Sequence, residues 1–73
     1  MIEKTLVTTS EELVSILKRQ RKKKKISQAE LGGFANLTTA TISKIESSTS
    51  DPQLTTFMRL AQLLNLKIYI EET

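Results

Sequence analysis

The sequence has no cysteine and no histidine. Neither a disulfide nor a thiolate or imidazole metal site can reinforce the fold. A Gly-rich phosphate loop is missing as well, so no enzyme, cofactor, metal or small-molecule substrate is expected. The opening stretch "MIEKTLVTTS" carries an early acidic residue and no apolar run of the length a signal peptide or membrane span requires. A cytoplasmic chain with no membrane partner is expected. There is no repeat of fixed period and no Gly/Ser/Pro linker, which makes the 73 residues one domain. A domain of this size buries only about 60% of the surface its unfolded chain exposes. Oligomerisation is then the common remaining way to bury more.

Charge is what the sequence does have. The formal net charge is +3, and seven of the eleven basic residues fall in the eight positions Lys18 to Lys25, "KRQRKKKK". Such a run suits a polyanion, nucleic acid or a membrane surface. It equally suits a solvated helix end whose cations complement the negative pole of the helix dipole. The membrane version lacks an amphipathic face with aromatic anchors.

Hydrophobic periodicity places four helices. Thr9 with Glu12 is a capping-box pattern, and Leu13, Val14, Leu17 and the stem of Arg21 continue at helical spacing, predicting a helix from Ser10 to about Lys23. Ser27 with Glu30 repeats the pattern and starts a second helix, carrying Leu31 and Phe34 and ending near Asn36, which tolerates a left-handed turn. Thr38 caps a third from Thr39 to about Glu46, with Ile42 and Ile45 inward and Thr39, Ala40, Ser43 and Lys44 outward. After the turn-rich "SSTSDP", Leu54, Phe57, Met58, Leu60, Ala61, Leu63 and Leu64 define a fourth helix. Its apolar arc is wide enough to predict packing on two sides.

Two short helices joined by a tight turn, the second with a polar outward face, form a helix-turn-helix candidate. The stretch "SQAELGGFANLTTATISKIE" resembles the XRE family of phage-repressor-type DNA-binding domains through Ser27, Gln28, Leu31, Leu37, Thr38, Ile42, Ser43, Ile45 and Glu46. The resemblance implies a mainly α, four- to five-helix lambda-repressor-like domain. It also implies DNA contacts from Lys25, Ser27, Gln28, Thr38, Thr39, Ala40, Thr41, Ser43 and Lys44, and a structural ion pair between Arg21 and Glu46. On the outward face Lys44 suits guanine acceptors, while Thr methyls and Ala40 suit thymine. Two departures stand out. Gly32 replaces the family's alanine and Asn36 its turn glycine, while Ser47 and Ser48 replace the polar residue and glycine that often follow the final glutamate. Gly33 is a second glycine within the helix, and each should cost about 0.8–1.0 kcal/mol relative to alanine.

The tail "LKIYIEET" alternates apolar and polar residues with the two-residue period of a half-buried strand, and a strand needs a partner. A second copy of the chain or the "TLVTT" stretch in cis would serve. The intersubunit pairing adds more core to so small a chain. In this tail the chain resembles the HipB-type antitoxins, in which a C-terminal strand pairs across a dimer. The organisation expected is an extended arm over 1–8, the DNA-binding domain over 9–65 and a dimerisation strand over 66–73. Dimer contacts would come from Phe57, Met58, Leu66, Ile68, Tyr69 and Ile70. The implied partners are a second copy, palindromic operator DNA and a HipA-like kinase toxin. A stand-alone XRE-type regulator and a protein-binding adaptor are the alternatives.

Overall fold

The computed structural model describes residues 3–73, and its order is α1 (Ser10–Lys23), α2 (Gln28–Ala35), α3 (Thr39–Glu46) and α4 (Leu54–Leu63). The mainly α expectation holds, with four helices among the described residues. Residues 1 and 2 of the expected arm lie outside them. No helix among the described residues is long and apolar enough to cross a membrane.

Side-chain caps fix where three of the helices begin. Thr9 accepts from the Glu12 amide at 3.1 Å, while the Glu12 carboxylate meets the hydroxyls of Thr8 and Thr9 rather than completing the reciprocal box. At α2 the box is complete: Ser27 Oγ accepts from the Glu30 N–H at 3.0 Å, and the Ser27 N–H donates to Glu30 Oε1 at 2.9 Å. Thr38 Oγ1 accepts from the Thr41 amide at 3.0 Å. Only α4 starts at Gln53 without a side-chain cap bond.

All four helices stop in the same way, with no glycine at the stop. Lys25, Asn36, Ser48 and Asn65 have φ of 58°, 58°, 59° and 55°, the left-handed region. The amide that follows each of them reaches back six residues' span to a helical carbonyl: Ile26 to Arg21, Leu37 to Gly32, Thr49 to Lys44 and Leu66 to Ala61. These are Schellman ends, which satisfy carbonyls that a helix terminus leaves orphaned. Asn36 and Ser48 thus hold the turns where the family prefers glycine. Gly32 is needed for a different reason: a Cβ there would lie 2.6 Å from the Leu37 carbonyl oxygen, so the α2–α3 turn closes against bare backbone. Gly33, one residue on, faces open space within 4 Å.

The core is one cluster of Leu17, Leu31, Ala35, Ile42, Ile45, Phe57, Leu60, Ala61 and Leu64, with Leu13, Ile26, Leu37 and Leu66 packed against it. Three of those four flanking residues directly follow a left-handed position, so the helix stops also deliver apolar side chains to the core. Truncating a fully buried leucine such as Leu60 to alanine would remove about 2–5 kcal/mol. Phe34 departs from the expectation: it is 60% exposed, because Leu31, Gly32 and Ala35 make the buried face of α2. The two-sided packing expected of α4 is also half met. Phe57, Leu60, Ala61 and Leu64 are buried, while Leu54, Met58 and Leu63 remain exposed.

The tail has no regular secondary structure, and no ladder joins it to "TLVTT" or any other described segment. Lys4 of the arm approaches it, with its Nζ 5.7 Å from the Tyr69 ring centroid.

Candidate nucleic-acid interface

The geometry of the site is set by one buried charge pair. Arg21 Nε donates to Glu46 Oε2 at 2.6 Å and Arg21 Nη2 to Glu46 Oε1 at 2.9 Å, a two-pronged contact joining the end of α1 to the end of α3. Arg21 Nη1 donates to the Ile26 carbonyl at 2.7 Å, and Gln28 Nε2 to Glu46 Oε1 at 3.0 Å. The residues are 7% and 8% exposed, and no buried side-chain polar atom among the described residues lacks a partner. α1, the α1–α2 turn, the first residue of α2 and the last of α3 therefore meet at one ion pair, the turn through the Arg21 guanidinium and α2 through the Glu46 carboxylate.

The electrostatics follow from this geometry. Burial by itself would raise the Glu46 carboxyl's pKa. Hydrogen bonds from Arg21 and Gln28, with the fields of Arg21 and Lys18, more than offset that and leave it below its ordinary value. Arg21 is held above its own, chiefly by its hydrogen bond to Glu46 against an opposing effect of burial. Both groups stay charged through the neutral range.

This strut fixes α2 and α3 while leaving an outward face free. Thr38, Thr39, Ala40, Ser43 and Lys44 are exposed on α3 and its cap, and Thr41 is half-buried. Thr38 Oγ1 lies 2.9 Å from Thr41 Oγ1. The far end of α3 is pinned as well. Ser47 Oγ and Thr49 Oγ1 each donate to the Lys44 carbonyl at 3.2 Å, and the Thr49 amide reaches it at 3.0 Å.

At the neighbouring α2 N-terminus, Ser27 is committed to its cap, and Gln28 is half-buried with an amide proton on Glu46. Glu30 accepts from the Ser27 backbone and side chain, which hold its carboxyl below the ordinary range. The carboxylate offsets the positive pole of α2. Attraction for a polyanion at this end therefore depends on Lys22, Lys23, Lys24 and Lys25, all exposed where α1 hands over to α2.

The residues expected to hold a second copy divide into two groups. Met58, Ile68, Tyr69 and Ile70 are exposed, Ile70 at 87%. Phe57 is only 4% exposed and fills its own protomer's core, so it offers a partner almost no surface. Leu66 is half-buried against the same core, and its amide is bonded to the Ala61 carbonyl at 2.8 Å. Sequence reasoning missed the Gln28–Glu46 bond, the Ile26 carbonyl under Arg21, and Gln20 Nε2, which donates to the Leu64 carbonyl at 3.0 Å. No local spacing encodes a contact across 44 positions.

The chain matches the family model for helix-turn-helix (HTH_3) over residues 17–70. Among solved structures it is similar to a serine-to-alanine variant of HipB in an O2 20mer complex. That match has 27% identity and a TM-score of 0.85, covering 96% of this chain and 97% of the other. It is similar at 27% identity and a TM-score of 0.84 to a chain of a HipA–HipB–O2–O3 complex, with 96% and 99% covered. It is also similar to an "MDT protein" at 26% identity and 0.84, with 94% and 97% covered. No curated protein sequence matches it.

Proposed function

The chain belongs to the XRE-type helix-turn-helix family, and on that premise we propose that it is a non-enzymatic repressor that binds palindromic operator DNA as a homodimer. The observation that carries this reading is the outward face of α3, held by the Arg21–Glu46–Gln28 strut and left clear of the core. In a major groove, Thr39, Ala40, Ser43 and Lys44 meet base edges. Thr38, Thr41 and Gln28 lie nearer the phosphates or a thymine methyl, and Ser27 and Lys25 nearer the phosphates. The dimer forms by antiparallel pairing of the tail with its copy, with Met58, Ile68, Tyr69 and Ile70 at the interface. Two reading helices then lie about 34 Å apart, or a multiple of that, on one face of the duplex.

We further assign it to the antitoxins: it represses its own operon and restrains a HipA-type kinase toxin. The supporting observation is likeness over nearly the full chain to HipB, one relative having been solved together with HipA. The test is selection of bound duplexes from a random pool with the mass of the complex measured in parallel, followed by capture with a HipA-type kinase. A shared palindromic motif bound by two chains is expected, and no shared motif would overturn the repressor reading. A motif without a kinase complex would leave a stand-alone regulator, and a kinase complex without a motif would leave an adaptor.

A further inference from the structure

The hydrogen bonds on the α3 face restrict which bases it can select. This inference rests on the DNA-binding reading above. Adenine is read most strongly by Asn or Gln, and cytosine by a free carboxylate. α3 runs TATISKIE, with no Asn or Gln, and its one carboxylate, Glu46, is buried on Arg21. Thr38 and Thr41 share one hydroxyl–hydroxyl bond at 2.9 Å, so only one of their two hydroxyl protons is left for anything else. Thr38 Oγ1 also accepts from the Thr41 amide, which turns the oxygen branch of Thr38 back onto the helix and leaves its methyl branch for a ligand. Thr38, Thr39 and Ala40 are all exposed, and their methyl groups can offer apolar contact at the start of α3. Lys44, the only cation on the helix, follows from a backbone fixed by three hydrogen bonds to its carbonyl.

We propose that each half-site is chosen by thymine methyls against those of Thr38, Thr39 and Ala40 and by one guanine beneath Lys44. Ala40 and Lys44 are four residues apart, a rise of about 6 Å along the helix, so the guanine and the thymines belong to different base pairs of the same half-site. Thr39 and Ser43 hydroxyls can pair with any base and add little selection.

The test uses the full chain and the duplex selected from a random pool. Replacing half-site thymines by deoxyuridine removes only the 5-methyl groups, and it should weaken binding about three- to fourfold per contacted thymine. The same replacement in the central spacer is the control and should change nothing. Lys44→Met should abolish a guanine preference of about fivefold or more at one position and leave the thymine preferences intact. If a motif is recovered but deoxyuridine is neutral, or if Lys44→Met weakens all sequences equally as a phosphate contact would, this assignment fails while DNA binding stands. If no motif is recovered at all, the parent reading fails with it.

Discussion

Glu46→Gln tests the strut most directly. The substitution preserves shape and one carbonyl acceptor, but it leaves the Arg21 charge, 7% exposed, without its counter-charge. Breaking a buried pair by removing one partner costs about 3–5 kcal/mol, and the retained acceptor places this variant near 3. At 0.05–0.15 kcal/mol per residue, a chain of 73 residues has about 4–11 kcal/mol in all. A large share of the stability is therefore at stake. Urea unfolding at one fixed protein concentration should show a midpoint lower by about 2–3 M, because chains this small have slopes near 1 kcal/mol per M. The double variant Arg21→Met with Glu46→Leu should recover to within about 1 kcal/mol of the parent, since it removes both desolvated charges together. The pH dependence has a definite sign. The folded Glu46 carboxyl titrates below its ordinary value of 4.5, so its contribution is complete above that pH and disappears as pH falls through the folded value. Glu46→Gln should flatten the acid limb of the stability profile. A loss under about 1 kcal/mol, a double variant as damaged as the single one, or an unchanged acid limb would refute the strut.

Three further outcomes follow. Gly33→Ala should raise stability by about 0.8–1.0 kcal/mol, a Tm gain of about 4–8 °C, whereas Gly32→Ala should lower it, because the added Cβ would meet the Leu37 carbonyl oxygen at 2.6 Å. Equal effects in calorimetry would mean that the α2–α3 turn yields freely. Lys25→Asn keeps a residue suited to φ 58° while deleting a cation, and should reduce the salt slope of operator binding by about 1 per half-site. A slope unchanged in a titration from about 50 to 200 mM salt would place Lys25 away from phosphate. In the proposed dimer, Ile68→Pro removes a ladder donor and should give monomer in sedimentation and weaker operator binding. Unchanged mass would take the tail out of dimerisation.

The helix boundaries were legible because the sequence writes them locally. Caps at Thr9, Ser27 and Thr38 and a left-handed residue at Asn36 act within a few positions of themselves. The face of Phe34 was not legible: Leu31 and Phe34 share helical spacing, and only the close approach of Gly32 to the next turn rotates α2 so that Phe34 points away. The bond from Gln28 to Glu46 was not legible, because the two lie 18 positions apart and meet only after folding. Phe57 carried an apolar label without an address, and the arc of α4 alone could not say which half faces its own core.

The stop at Asn65 has one more consequence. With the Leu66 amide committed to Ala61, the free run of the tail begins at Lys67. A two-fold axis normal to an antiparallel ribbon can set only residues of equal parity opposite each other, because facing side chains share a side of the sheet. In the proposed ribbon, an axis through Tyr69 brings Lys67 against Glu71 twice on one side and Ile68 against Ile70 twice on the other. Attraction and burial then select the same register, and a slip of the centre by one residue sets Lys67 against Tyr69 instead and loses both charge pairs.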